Sequence, residues 1–264
     1  MEPIRVVVNG ALGRMGQEII NAITKQDTIE LVGAVEKEVT QKYLPIVGKV
    51  VRFSSDLDSL LEECYANVVV DFTTAEASMA AARIAAKRKV NLVIGTTGLS
   101  EENIAEIDQL CRKCDIGAVV APNFSLSAAV LIKLAELAAK FFDHAEIIEM
   151  HHDKKVDAPS GTAINTAKAM LKAHSKPFTY PKTKTEVIPR TRGGQIKGIA
   201  IHSLRSPGFM AGQEVIFSGE GQRLSLHMET ISREAYMPGV ILAIKEVVKR
   251  KGLIYGLYSL LEKL

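Results

Sequence analysis

From Ile4 onward the chain alternates short apolar runs with longer stretches whose apolar residues recur every three or four positions. "IRVVVNG" at 4–10 is an apolar run closed by glycine, and Met15, Ile19, Ala22 and Ile23 follow at helical spacing. That opening predicts strand, turn, helix. The same pattern predicts strands over Ile29–Glu36, Val68–Thr73, Asn91–Thr97 and Ile116–Ala121, with helices over Ala75–Lys87 and Glu101–Arg112. Near-continuous apolar strands separated by amphipathic helices belong to a parallel sheet covered on both faces. The order of elements carries this reading, since the sequence contains no internal repeat.

After Ser125 the pattern changes. A long apolar helix over Ser127–Phe142 leads to the strand "AEIIEMHH" at 145–152 and a helix over Ala163–Ala173. Three strand-like stretches follow without helices between them: Gly198–Leu204, Glu214–Ser218 and Leu224–Ile231. Strands run together in this way predict a separate α+β domain with an open mixed sheet. The final stretch, Pro238–Lys249, is helical again and is expected to pack back on the first domain. The expected fold class is therefore α/β. A Rossmann-type doubly wound parallel sheet spans 1–122 and 238–264, and a second α+β domain for substrate binding and oligomerisation spans 123–237.

Composition narrows the function classes. With 47% hydrophobic and 24% charged residues the chain is ordinary globular material. Lys and Arg outnumber Asp and Glu only 33 to 30, and the runs Lys87-Arg88-Lys89 and Lys249-Arg250-Lys251 fall where predicted helices end, complementing their dipoles. A nucleic-acid surface would need a stronger basic bias on one face. The sequence Met1-Glu2-Pro3-Ile4-Arg5 runs into a strand without a signal-peptide pattern, and no apolar run approaches membrane-spanning length. Three cysteines, an odd number, suit a reducing compartment, so a cytoplasmic location is expected. Cys111 and Cys114 form a CxxC near the end of a predicted helix, whereas a redox pair wants its thiolate at a helix N-terminus. No second CxxC completes a zinc site, and no metal is expected.

The first strand-to-helix turn reads "NGALGRMGQE", with Gly10, Gly13 and Gly16 spaced GxxGxxG rather than the commoner GxGxxG. In a doubly wound sheet such glycines let the backbone approach a pyrophosphate held by helix N-terminal amides, which makes Gly10, Ala11, Leu12, Gly13, Arg14 and Met15 a candidate dinucleotide loop. Alone, the motif is equally a ligand-free turn. Strand two, however, ends in "GAVEKE", which puts Glu36 twenty residues after Gly16, where an acid accepts hydrogen bonds from the adenosine ribose. Lys37 beside it, helped by Arg14, can pair with a 2′-phosphate, so both NADH and NADPH are candidate cofactors. Two later strand ends, with Gly95, Thr96 and Thr97 and with Ala121, Pro122, Asn123 and Phe124, are expected to line the nicotinamide half.

Residues 149–163, "EMHHDKKVDAPSGTA", compress two histidines, a lysine and a small-residue helix start into fifteen positions. In extended backbone His151 and His152 point to opposite sides, and Lys155 lies in the following loop. Ser160, Gly161 and Thr162 offer a hydroxyl cap and backbone amides suited to an anion. An imidazole and an ammonium can protonate a reduced substrate, while the amides hold a carboxylate. Each feature alone is usually structural; their compression beside a dinucleotide fold favours a site. His144, His174, His202 and His227 stand alone and receive no role.

These residues resemble a known family. The block at 149–163 is similar to the signature of the dihydrodipicolinate reductases, also called 4-hydroxy-tetrahydrodipicolinate reductases, of the bacterial lysine pathway. "NGALGRMGQ", "GAVEKE", "DFTTAE", "VIGTTG" and "APNFS" resemble that family's other blocks in the same order, across nearly the full length. The resemblance implies a Rossmann domain, a sheet domain forming a homotetramer interface, and reduction by NADH or NADPH. It implies further that His151 and Lys155 are the proton-donor pair and that His152, Gly161 and Thr162 contact a dicarboxylate substrate. Lys37 stands where relatives often carry arginine, and Thr74 where some do, which leaves the cofactor balance open.

The residues by themselves reach a two-domain dinucleotide oxidoreductase acting on an anionic substrate. Another two-domain dehydrogenase would need its own signature, and a semialdehyde enzyme a cleft cysteine, whereas Cys64, Cys111 and Cys114 are all expected in helices of the first domain. A dinucleotide-sensing regulator would predict a DNA-reading module, and none is visible.

Overall fold

The computed structural model describes residues 2–261, so that Met1 and 262–264 of the expected first domain lie outside the described residues. The chain divides into two compact units, Met1–Phe124 with Tyr236–Leu264, and Ser125–Ala235.

The first unit begins with β1 (Ile4–Asn9), α1 (Arg14–Ile23) and β2 (Ile29–Val35), then β3 (Tyr43–Ile46), β4 (Lys49–Ser54) and α2 (Leu57–Glu63). It continues with β5 (Val68–Asp71), α3 (Ala75–Lys87), β6 (Asn91–Ile94), α4 (Glu101–Cys114) and β7 (Gly117–Val120). The returning segment adds α7 (Met237–Val247), β13 (Gly252–Tyr255) and α8 (Leu257–Leu261). The strands form one sheet in the order β13-β7-β6-β5-β1-β2-β4-β3, parallel except for the β3–β4 pair. Val6, Val7, Val8 and Val68, Val69, Val70 have no exposed surface, as expected of central strands covered on both faces. Each such side chain contributes roughly 1.5–3 kcal/mol by burial.

β1 pairs with β2 on one side and with β5 on the other, so the strand order reverses there, and the carboxyl ends of β1, β2, β5 and β6 converge at this switch point. Ligands of doubly wound sheets bind beyond such ends.

Three parts of this unit lie outside the expected pattern. The hairpin β3–β4 turns at Gly48 (φ +78°), and with α2 it fills a region where the alternation of apolar residues is weak. Pro45 sits in the outermost strand, where a missing N–H costs no ladder bond. Strand β13 is as short as β7 and pairs with it in parallel. Cys64, expected in a helix, is instead the residue after α2, buried and extended.

The second unit contains α5 (Leu126–Ala138), β8 (His144–His151), α6 (Gly161–His174), β9 (Gly194–Ile196), β10 (Ile199–Arg205), β11 (Ala211–Gly219) and β12 (Gln222–Thr230). Its sheet runs β12-β11-β8-β10-β9, with β8 and β10 parallel and the other neighbours antiparallel. Helices α5 and α6 cover one face, packing Leu131, Ala135, Ala167 and Met170 against Ala145, Ile147, Ile201, Val215 and Phe217. The opposite face carries Glu146, Ile148, Met150, His202, Glu214 and Ile216, the side chains in register between those inward positions. Arg192 and His202 both bind Glu146 on that face, at 2.6 and 2.8 Å.

Candidate active site

Gly10 adopts φ +79°, a conformation open to glycine, and the amides of Gly10 and Ala11 both donate to the Val35 carbonyl at 3.0 Å. The loop is thereby tied to the end of β2. A Cβ on Gly16 would lie 2.1 Å from the Gly10 carbonyl oxygen, so only glycine lets α1 start this close to the strand. A Cβ on Gly13 would meet the Gly10 oxygen at 3.2 Å and nothing else within 4 Å. Gly13 caps α1 without a side-chain hydrogen bond, whereas Asp56, Thr74, Ser100, Ser125 and Ser160 cap α2 to α6 with theirs. The Arg14 and Met15 amides, at the first positions of α1, precede any carbonyl the helix could offer them. A bare cradle of amides with no capping side chain fits the pyrophosphate of a dinucleotide.

Glu36 is half-buried, and its Oε2 accepts the Leu12 amide at 2.9 Å while Oε1 accepts the Lys37 amide at 3.0 Å. A carboxylate has about four lone-pair sites, so two remain for ribose hydroxyls. The Arg14 and Lys37 side chains are exposed. Thr74 caps α3 by accepting the Ala77 amide.

At the ends of β5 and β6 the structure adds a buried network. Asp71, with no exposed surface, accepts from Asn9 Nδ2 at 2.5 Å, from Thr73 Oγ1 and Thr96 Oγ1 at 2.9 Å each, and from Ser78 Oγ. One carboxylate thus ties the ends of β1, β5 and β6 to α3. The Thr96 hydroxyl is consumed in this network, while Ala121 and Phe124 are buried. Thr97 and Pro122 are exposed and Asn123 half-buried. Phe72 lies so close to Gly95 that a Cβ there would meet its ring at 2.1 Å, and it tilts on Phe124 with ring centroids 5.5 Å apart.

In the second unit His151 ends β8, and His152 follows it exposed. Nδ1 of His151 lies 2.5 Å from Oε2 of Glu149, two positions back on the same face. Glu149 has no exposed surface. Arg205 at the end of β10 reaches its two oxygens at 2.7 and 3.1 Å, and the Ser160 amide donates to Oε1 at 3.2 Å. Burial pushes the Glu149 carboxyl up, but hydrogen bonds from His151, Arg205 and Ser203 and the Arg205 charge outweigh it, bringing the group down to about 2. Arg205 also donates to the Asp157 carbonyl at 2.8 Å, and the Asp157 carboxylate holds Nζ of Lys155 at 2.6 Å, which keeps that acid below the usual carboxylate range. Ser160 is buried and caps α6 by accepting the Ala163 amide at 3.2 Å. A Cβ on Gly161 would meet nothing within 4 Å, so space lies open at the first turn of α6.

Asp71, Glu149, Asp157 and Arg205 were absent from the expected set. Glu149 was findable: alternation puts it inward beside Ile147, an acid on a core face. Arg205 has no local signal, because it meets Glu149 only through strand pairing across 56 positions. Among the described residues no group of three or more His, Cys, Asp or Glu side chains could hold a metal ion. Burial pushes the Cys111 thiol up to about 12, which keeps it protonated at neutral pH.

The model for "Dihydrodipicolinate reductase, N-terminus" matches residues 4–124, and that for its C-terminus matches 127–261. The chain belongs to the dihydrodipicolinate reductase family. Among its relatives, the 4-hydroxy-tetrahydrodipicolinate reductase of Dehalococcoides mccartyi strain 195 is 50% identical over 264 residues, 99% of this chain and 100% of that protein. The reductase of Moorella thermoacetica is 48% identical over 265 residues, covering 98% of each chain. The dipicolinate-bound dihydrodipicolinate reductase from Paenisporosarcina sp. TG-14 superposes with a TM-score of 0.87 at 35% identity, covering 97% of this chain and 98% of that one. An amine dehydrogenase from Mycobacterium smegmatis, at TM-score 0.66 and 16% identity over 97% and 95%, shares the dihydrodipicolinate reductase fold alone.

Proposed function

We propose that this chain reduces 4-hydroxy-tetrahydrodipicolinate (dihydrodipicolinate) to tetrahydrodipicolinate with NADH or NADPH, in diaminopimelate and lysine biosynthesis. The observation that carries the reading is the Glu149-centred segment, which gathers an imidazole, an ammonium and a helix start in a chain that also holds a side-chain-free amide cradle.

A reduced nicotinamide bound to the first unit supplies a hydride. Gly10, Ala11, Leu12, Gly13, Arg14 and Met15 hold the pyrophosphate, Glu36 accepts the ribose hydroxyls, and Lys37 with Arg14 meets a 2′-phosphate where one is present. Gly95, Thr96, Thr97, Ala121, Pro122, Asn123 and Phe124 shape the nicotinamide half. In the second unit, Ser160, Gly161 and Thr162 receive one carboxylate at the α6 start, and His152 contacts the substrate nearby. Once the 4-hydroxyl has left as water, hydride addition to the resulting conjugated imine leaves electron density that His151 or Lys155 quenches by donating a proton.

The reading extends to a homotetramer joined through the face opposite α5 and α6. The apolar residues of these strands divide between the faces: Ile199, Ile201 and Val215 are buried in the helix-covered core and Leu226 packs against it, leaving Ile216 on the opposite face. The three free cysteines fit a cytoplasmic enzyme, and no helix among the described residues is long and apolar enough to cross a membrane.

The test supplies the condensation product of aspartate-semialdehyde and pyruvate and follows NADH and NADPH absorbance separately. Turnover is expected with both cofactors, and His151→Gln and Lys155→Ala should each lower it ~100- to 10,000-fold with cofactor affinity nearly unchanged. Near-normal turnover in both variants would reduce the segment to a strand end and helix cap.

A further inference from the structure

Glu149 is a buried charge whose partners include His151, the Ser160 amide and Arg205, with the Ser203 hydroxyl beside them. Its Oε2 meets His151, its Oε1 takes the Ser160 amide, and Arg205 spans both oxygens before reaching on to the Asp157 carbonyl. Asp157 in turn holds Lys155. The charged group on the imidazole is therefore Glu149 on its own strand, which links it to Arg205 on β10 and, through the Asp157 carbonyl, to Asp157 and Lys155 in the loop. From β11 it faces Ala211, which is neutral.

A carboxylate that stays ionised at neutral pH carries only lone pairs. The 2.5 Å contact therefore requires a hydrogen on Nδ1 of His151, and Nε2 becomes the one ring position that exchanges a proton.

We propose that Glu149 is the positioning residue of the substrate site: it fixes His151 as the Nδ1-protonated tautomer and, through the same carboxylate, holds the start of α6 in register with that ring. The inference rests on the reading of His151 as a proton donor. In the step itself the imidazolium gives its Nε2 proton to the substrate and is left as the neutral Nδ1–H ring, while Glu149 remains ionised throughout. Arg205 neutralises the buried acid, so that its negative charge does not oppose an anionic substrate arriving at Gly161 and Thr162.

The test begins with the unaltered protein, by nitrogen-15 NMR of the neutral His151 ring. The expected signature is a protonated Nδ1 and a bare Nε2; a ring protonated on Nε2 overturns the proposal whatever any variant does. Glu149→Gln then replaces one acceptor oxygen with a donor amide. It should lower kcat about 100-fold and mix the two tautomers, with KM for NADH and NADPH within about twofold of the parent. A kcat within about threefold of the parent overturns the proposal. His151→Gln separates the two claims: if it keeps full turnover, His151 is not the donor, whereas if it loses turnover and Glu149→Gln does not, only the role of Glu149 falls.

Discussion

The Leu12 amide donates to Oε2 of Glu36 at 2.9 Å across 24 positions of sequence, joining the glycine loop to the residue that follows β2. The acid that would read the ribose is thus braced by the loop that would hold the pyrophosphate, and neither can shift without the other. Lys37, exposed beside it, is free to meet an added phosphate.

NADH and NADPH should therefore bind within a factor of about ten to a hundred of each other, or ~1.4–2.7 kcal/mol. Lys37→Ala should weaken NADPH about tenfold and leave NADH nearly unchanged, since a lost phosphate contact acts on one cofactor only. Separate fluorescence titrations check this, and equal losses would contradict it.

Gly16→Ala should be the most damaging single methyl in the loop. The added carbon would sit 2.1 Å from the Gly10 oxygen and 2.9 Å from Ala11 backbone atoms, none of which can swing aside. A loss of about 1–3 kcal/mol is expected, with dinucleotide affinity falling in parallel. Gly13→Ala meets one atom at 3.2 Å and should melt close to the parent temperature while still losing affinity. Thermal melts with and without cofactor separate the two effects.

Gly161→Val should leave the fold intact, because a Cβ there meets nothing within 4 Å and φ is not in the left-handed region. It should weaken a planar pyridine-2,6-dicarboxylate at least tenfold, by covering amides meant for a carboxylate. Inhibition constants measured at fixed cofactor give the answer, and unchanged inhibition would remove the anion site from the start of α6.

Acid should loosen the second unit through Glu149. Its folded carboxyl lies at about 2, below the ordinary 4.5, so its stabilisation is fully present above the ordinary value and is lost as pH falls toward 2. The gap corresponds to roughly 3 kcal/mol at most. Denaturant unfolding at pH 6, 4 and 3 should show a falling midpoint, with a shallower slope in Glu149→Gln; identical slopes would refute the assignment.

Much of this was legible in the chain. Central strands such as Val68–Asp71 announce themselves because both faces are buried, and α3 and α4 because their caps and apolar faces coincide. The hairpin over Tyr43–Ser54 did not, since an edge covered on one side needs few apolar residues. The faces of these strands are hidden for a related reason: Val215 and Ile216 are adjacent and equally apolar, yet pairing sends one into the α5–α6 core and the other to the opposite face. In the site, the residues with local signatures were readable, and those that hold them were not. Asp71 and Arg205 find their partners through strand register, which no short window of sequence contains.

Strand β13 is delivered from beyond the whole second unit, yet it borders β7, whose four residues Gly117–Val120 are all buried. During synthesis the ribosome must therefore release the chain through Tyr255 before the first sheet can close. Until Gly252–Tyr255 emerges, β7 presents unpaired peptide groups on an apolar flank, the kind of edge that recruits other strands. Translation arrested in that interval would leave a nascent chain with its glycine loop already made and a sticky border beside it, a client for chaperones rather than an enzyme.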